Sequence, residues 1–292
     1  MIGIVFNPIS GTGRARVVAE RMLAGLDRLG LRAELIESAR SGAEQWLRPR
    51  LAGAELIVVA GGDGAVRTAA PEAAHAGVSL WHAPCGTENL FARAFGMRAD
   101  AAMIAAAIRA GRTRNIDLAS ASGEPFAIMA SVGLDAEVVH DLSSRRSGGI
   151  SHLSYVGPVL RQLSAWRPSE LAWSIDGERE QLGRGMVVVG NLPDYGVRLN
   201  PAAEAIPDDG LLDAVFIPAD GPISLLPWAV LMRAGLHLRC PGVRVRRGRE
   251  LRIHADRPVR LQLDGDPAGS AAGASEYLLT PSPGALRVLL PA

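Results

Sequence analysis

The stretch LIVVAGGDGAVRTAA (56–70) decides the fold. An apolar run ends at a glycine pair, an aspartate and a third glycine follow, and the sequence then turns alanine-rich. A short, continuously apolar run bounded by glycine reads as a buried strand, and the segment after it as a helix. Turns of this kind usually hold phosphate on backbone N–H groups, so an acid inside one needs a reason. Asp63 can cap the next helix, hold a divalent cation that bridges to phosphate, or accept a proton from an attacking hydroxyl. The residues alone leave all three open.

The same unit recurs on either side. MIGIVF (1–6), LRAELIES (31–38), AELIVVA (54–60) and VSLWHAP (78–84) read as strands. ARVVAERMLAGLDRLG (15–30), AVRTAAPEAAHA (65–76), NLFARAFGM (89–97) and AAMIAAAIRAG (101–111) read as helices, with Pro71 expected in the first turns of its helix or as its end. Alternation of this kind implies a parallel sheet covered on both faces. From about residue 116 the segments become short, often alternating, and separated by Gly, Pro, Asp and Asn, as in a β-sandwich or flattened barrel. Within that half, residues 141–166 read as a mobile loop followed by one helix. The expected architecture is therefore α/β plus β. A parallel-sheet, three-layer α/β domain spans 1–118. A β-sandwich spans 119–292, and its C-terminal end can pack back on the first domain.

Composition narrows the function. The 292 residues carry a net charge of +1, which gives no electrostatic footprint for nucleic acid. There is no lysine, so neither a Schiff-base lysine nor a P-loop lysine is possible. Cys85 and Cys240 make neither a disulfide framework nor a zinc site, and a reducing compartment is expected. MIGIVFNP has no charged leader before an apolar region, so no signal peptide is expected. ISLLPWAVLMRAGLHL (223–238) is short for a membrane span and holds Pro227 and Arg233, as in a packed or surface-lying amphipathic helix.

Four polar turns are candidates for chemistry. NPISGTGRAR (7–16) offers Asn7, Ser10, Thr12 and bare glycines ahead of a helix, although a plain strand-to-helix turn has the same composition. Gly61, Gly62, Asp63 and Gly64 fall at the carboxyl end of a parallel strand, where open α/β sheets place ligands. APCGTENLF (83–91) puts Thr87 and Asn89 at a third strand end, and both also suit helix capping. Three such ends on one sheet edge together read as a nucleotide site. The fourth group is acidic: PDDGLLDAV (207–215) and LQLDGDPAG (261–269). Its Asp-Gly pairs suit hairpin turns, and its carboxylates suit Mg²⁺. Arg14 and Arg67 can supply positive charge, or simply sit on solvated helix faces.

With these groups in order, the sequence resembles the diacylglycerol kinase catalytic family of soluble bacterial lipid kinases. NPISG, GGDGA, PCGTEN, GLDAEVV, GNLPDYG, PDDGLLD, GLHL, LQLDGDP and PGALRVLLP stand in the family's order across nearly the whole chain. The resemblance implies an active site in the interdomain cleft, ATP and Mg²⁺ as cofactors, and a lipid hydroxyl as acceptor. It assigns Asn7, Ser10, Thr12, Gly62, Asp63, Gly64, Thr87 and Asn89 to the nucleotide; Gly61 joins them as part of the same glycine turn, and Arg67 as a candidate cation. It assigns Asp63, Asp264 and Asp266 to catalysis, and Asp209, Asp213 and Asp135 to a structural Mg²⁺. It further implies a cytoplasmic protein that meets its lipid at the membrane surface; RVRRGRELR (244–252) and DLSSRRSGG (141–149) are the candidate contacts, although alternating arginine in the first better suits the solvent face of two strands; a homodimer is left open. Three departures stand out. Ala65 replaces a threonine, VRTAAPEAA lacks an Asn-Glu pair, and Asp266 replaces a glutamate. The first and third point to weak, altered or absent transfer, as in a regulator of the same fold that binds nucleotide or lipid. A kinase for a soluble acceptor such as NAD is the third reading.

Overall fold

The structure is a computed structural model; it describes residues 1–39, 41–144 and 156–292, apart from the side chains of Thr12, Val156, Val159, Leu160 and Leu163. The chain divides into two units. One comprises residues 1–118 and 284–292; the described part of the other comprises 119–144 and 156–283.

In the first unit, β1 (Ile2–Phe6), β3 (Leu56–Gly61) and β4 (Ser79–Pro84) are buried almost throughout. Strands with both faces covered have no solvent side, which is why their sequences do not alternate. Burying each Val, Leu or Ile contributes roughly 1.5–3 kcal/mol. With β2 (Ala33–Glu37) they form a parallel sheet in the order β2-β1-β3-β4. Helices α1 (Arg14–Arg28), α3 (Asp63–Ala76), α4 (Leu90–Ala94) and α5 (Ala101–Ala110) connect the strands or follow them. A short α2 (Ala43–Trp46) precedes β3 and is an element that the sequence pattern did not reveal. The chain passes from β1 to β2 in one direction and from β3 to β4 in the other, and the right-handed rule for such crossovers puts α1 and α3 on opposite faces. On the α1 face, a methyl on Gly25 would lie 2.6 Å from the Cβ of Ala101, so that glycine lets α1 and α5 close together. Because the order reverses direction between β1 and β3, the crevice beyond their carboxyl ends is a topological switch point.

Pro71 departs from expectation. It is the ninth of the fourteen residues of α3, and the helix runs on unbroken to Ala76. Proline removes one helical N–H, but the surrounding packing holds the helix: Val66, Ala69, Ala70 and Ala73 are all buried.

The second unit is β-rich and antiparallel. Its strands are β6 (Glu124–Phe126), β7 (Met129–Val132), β8 (Ser169–Ile175), β9 (Glu178–Gly190), β10 (Leu212–Pro218), β11 (Arg244–Gly248), β12 (Leu251–Val259), β13 (Leu261–Leu263) and β14 (Asp266–Ala268). The strands β5 (Thr113–Ala121) and β15 (Ala274–Leu289) contribute to both units. The long β9 pairs with β8 through its first half, then with β7 and β10 through Met186–Gly190. Phe126, Trp173, Val187, Phe216, Ile253 and Leu263 lie in the resulting core. Among the described residues three α-helices accompany the strands: α6 (Leu134–Ser144), α7 (Val156–Ala165) and α8 (Leu225–Arg233). Helix α6 occupies the GLDAEVV block and runs into the segment expected to be a loop. Residues 145–155, which hold most of that loop, lie outside the described residues.

Candidate functional site

Three turns meet at the switch-point edge. The first leaves β1. Asn7 Oδ1 accepts the Ile9 N–H at 3.1 Å, Ser10 N–H bonds the Asn7 carbonyl at 3.1 Å, and a 3₁₀ turn covers Ser10–Gly13. Helix α1 then starts from a left-handed Gly13, with no side-chain cap and no acid in its first turn. The positive end of its dipole is therefore not offset locally. A methyl on Gly11 would come within 4.0 Å of the Cys85 carbonyl, so this turn reaches the one after β4. Ser10 is half-buried, and the Thr12 side chain is outside the described residues.

The second and third turns are in backbone contact. A methyl on Gly86 would sit 2.6 Å from the Gly62 Cα, a distance that real Cβ atoms do not adopt. Cys85 N–H and His82 Nε2 both bond the Gly61 carbonyl at 2.9 Å. Asn89, itself left-handed, bonds both backbone groups of Gly86: its Oδ1 accepts that N–H at 2.8 Å, and its Nδ2 donates to that carbonyl at 2.9 Å. Thr87 and Arg67 lie half-buried in the same turn and on α3.

Asp63 resolves the puzzle of the acid among glycines. It is the first residue of α3, whose N-cap is Gly62, so it does not cap its own helix. Its two carboxylate oxygens accept the Leu90 and Phe91 N–H groups, each at 3.0 Å, at the start of α4. The acid holds the GGDG turn to the PCGTEN turn and compensates the unpaired N–H groups of a helix start. Burial pushes the His82 imidazole below its ordinary pKa, with the Asp63 charge pulling the other way. Burial also raises the Cys85 thiol, and nearby Arg14 opposes this.

The acids of the second unit are mostly committed elsewhere. Asp264 and Gly265 form a two-residue hairpin turn between β13 and β14, both with positive φ. The buried Asp264 carboxylate accepts three N–H groups, from Ala127 at 2.8 Å, Ile128 at 2.9 Å and Met129 at 2.8 Å. Asp266 is half-exposed at the head of β14.

The acids expected to hold a metal make hydrogen bonds of their own. Asp213 is buried and bonds Arg247 at 2.5 Å; burial pushes its carboxyl up and the guanidinium opposes this. Asp209 accepts the Leu211 N–H at 3.0 Å within its own turn. Asp135 belongs to a different network: its Oδ2 accepts from Ser131 Oγ, from Tyr195 OH at 2.5 Å and from Gln262 Nε2 at 3.5 Å. Its Oδ1 is buried without a partner. Among the described residues no three His, Cys, Asp or Glu side chains come together in a metal-holding arrangement. The Asp213 Oδ2 is likewise buried without a hydrogen-bond partner.

Sequence reading missed the roles of His82, Tyr195 and Gln262. Each acts through a hydrogen bond to a residue distant in sequence, and no local pattern announces such a bond. The arginine run also differs from a loose basic patch. Arg244 and Arg246 pair with Glu180 at 3.4 and 3.3 Å, and Arg252 pairs with Glu250 at 3.0 Å and Glu276 at 3.3 Å.

Residues 1–121 match the diacylglycerol kinase catalytic domain, and residues 128–290 match the YegS C-terminal NAD kinase beta sandwich-like domain. The chain belongs to the diacylglycerol kinase and YegS lipid-kinase family. Among curated relatives, a diacylglycerol kinase of Mycobacterium tuberculosis is 29% identical, with 98% of this chain and 93% of the relative covered. A Stenotrophomonas maltophilia protein named "Probable lipid kinase YegS-like" is 30% identical over 82% of this chain and 80% of its own. A solved diacylglycerol kinase from Bacillus anthracis shares the fold at a TM-score of 0.73 and 19% identity, covering 99% of this chain and 96% of its own. Yeast NADH kinase shares it more distantly, at a TM-score of 0.52 and 12% identity, covering 100% and 83%.

Proposed function

We propose that this family member transfers the γ-phosphoryl group of ATP to a hydroxyl of diacylglycerol or a related lipid at a membrane surface. The observation that carries the reading is the meeting of the three bare-backbone turns after β1, β3 and β4. The Gly62–Gly86 contact and the open start of α1 make that edge suited to a chain of phosphates. Phosphoryl transfer asks mainly for positioning and charge stabilisation. Asn7, Ser10, Thr12, Gly61, Gly62, Gly64, Arg67, Thr87 and Asn89 are the residues assigned to holding the donor, with Arg14 as a further cation. Asp63 acts as the clamp that keeps two of the turns in register.

In the transfer itself, the acceptor oxygen bonds to the γ-phosphorus as the bond to the β–γ bridging oxygen breaks. The hydroxyl proton goes to a carboxylate, a role assigned to Asp266; Asp264, with three N–H groups to satisfy, fixes the turn that carries it. Asp135, Asp209 and Asp213 are the residues assigned to a structural Mg²⁺, with Asp135 Oδ1 and Asp213 Oδ2 buried and unpartnered.

Ala65 and Asp266 favour a second reading, a relative that binds nucleotide or lipid and transfers slowly. One experiment separates the two. Purified protein is given labelled ATP, Mg²⁺ and a mixed lipid extract, with NAD in parallel, and the products are read by mass spectrometry. A labelled lipid phosphomonoester is expected. Nucleotide binding without transfer, rescued by A65T/D266E, supports the second reading. Labelled NAD, or neither binding nor transfer, overturns both.

A further inference from the structure

Helix α8 carries two apolar faces. Leu225 and Met232 are buried, and the Trp228 indole N–H bonds the Pro218 carbonyl at 2.9 Å, so the positions 225, 228 and 232 form an inner face. The outer face is also apolar. Leu226 is 56% exposed and Val230, one turn on, is 70% exposed. Ile223, one turn ahead of Leu226, is 71% exposed. Arg233 closes this row and donates to the Val197 carbonyl at 3.1 Å, which brings a further apolar residue, 64% exposed, beside the helix. Val197 has φ 54, a strained conformation for a β-branched residue. Scattered exposed apolar residues need no explanation, but a contiguous row of them marks a surface that meets something.

Charge identifies the occupant. From Gly221 to Arg249 the chain has no Asp or Glu and holds Arg233, Arg239, Arg244, Arg246, Arg247 and Arg249. Arg244, Arg246 and Arg247 are neutralised by Glu180 and Asp213. Arg233 and Arg239, at and just beyond the end of α8, are exposed and have no carboxylate partner among the described residues. An apolar helix face edged with uncompensated arginine suits a bilayer with anionic head groups, where apolar side chains enter the acyl boundary and cations meet phosphate. Here α8 is too short to cross: no described helix is long and apolar enough to span a membrane.

We infer that the outer face of α8, formed by Ile223, Leu226 and Val230 with Val197 beside them and Arg233 and Arg239 at the edge, docks the protein in the plane of an anionic lipid surface. This rests on the lipid-acceptor reading only for its purpose; the docking itself is tested without catalysis.

The full chain is mixed with vesicles of phosphatidylcholine, with or without one-third phosphatidylglycerol, and bound protein is measured by flotation. The parent should bind the anionic vesicles, and L226E/V230E should bind at least tenfold more weakly. Both positions are exposed, so the thermal midpoint should hold within a few degrees. R233Q/R239Q should lose the preference for anionic vesicles and the sensitivity of binding to salt. Transfer to a short-chain diacylglycerol dissolved as monomers should be unchanged within twofold in L226E/V230E, while transfer to vesicle-borne lipid falls. Vesicle binding that persists in L226E/V230E overturns the inference. So does a concentration-dependent dimer that L226E/V230E disperses, since a second copy would then cover the face. Vesicle binding that depends on α8 in a protein that phosphorylates no lipid supports the docking surface and removes the kinase reading alone.

Discussion

Asp63 and Asp264 stand in different units, one in GGDG and one in LDGD, and the sequence points to both as catalytic acids. In the structure both are clamps: Asp63 accepts two backbone N–H groups and Asp264 accepts three. The difference lies in what each clamp holds. Asp63 ties together two turns at one sheet edge, whereas Asp264 fixes the hairpin that carries Asp266. An acid in a functional motif thus need not touch the reacting atoms. A carboxylate is also the side chain best able to satisfy several N–H groups at once.

The largest test of this comparison is Asp264→Ala. Three buried N–H groups would lose their acceptor at about 1–3 kcal/mol each, so a loss on the order of 4 kcal/mol or more is expected in urea unfolding. That is a large share of the stability of an ordinary domain. Asp264→Asn keeps one acceptor oxygen and should lose less. Transfer abolished in Asp264→Ala with an unchanged urea midpoint would break the comparison and return Asp264 to catalysis.

Gly86→Ala comes next. The added methyl meets the Gly62 Cα at 2.6 Å, and no flexible side chain is there to yield. The two turns must part, costing about 1–3 kcal/mol, and nucleotide affinity by calorimetry should fall at least tenfold. Gly196→Ala, with nothing within 4 Å, is the control and should change neither. Nucleotide binding that survives Gly86→Ala would mean the edge is not the donor site.

Much of this first-unit geometry was legible in the sequence. Each turn follows its own strand directly, and parallel topology then places all three on one edge. What was hidden are the cross-turn bonds, such as Asp63 to Leu90 and Phe91, which join residues 27 and 28 positions apart. The second unit was less legible for the same reason. Asp135 gathers Ser131, Tyr195 and Gln262 over separations of up to 127 residues, and Asp213 takes Arg247 from 34 residues away. A carboxylate looks alike in a sequence whether it meets a metal, an arginine or a hydroxyl. Helix α6 is hidden because Leu134, Ala136 and Val138 alternate with polar residues as in a strand.

Asp63→Asn sharpens the comparison with a smaller effect. One N–H keeps an acceptor while the other faces an amide NH₂ group, for about 1–2 kcal/mol. Stability and transfer should decline together. Transfer lost by a thousandfold at unchanged stability would instead make Asp63 a proton acceptor or metal ligand.

The smallest expected effect separates Asp63 as a clamp from the charge it brings to His82. The imidazole is fully buried, bonds the Gly61 carbonyl through Nε2 and has its pKa lowered by burial. The unfolded chain takes up a proton near the ordinary value of about 6.5, and the folded chain resists doing so. Its contribution to stability is therefore intact above that pH and is lost as pH falls below it, at up to about 1.4 kcal/mol per pH unit. The Asp63 carboxylate works against this loss by favouring the protonated ring. His82→Gln supplies an amide donor for the Gly61 carbonyl and cannot titrate. Unfolding free energies at several pH values between 5 and 7.5 should give a shallower acid slope for His82→Gln than for the parent. The other histidines contribute equally to both proteins and drop out of the difference. Asp63→Asn should steepen the parent's slope, because the favourable charge is gone. Parallel curves for all three proteins would show that His82 does not feel the clamp, leaving Asp63 with hydrogen bonding as its only role in the turn.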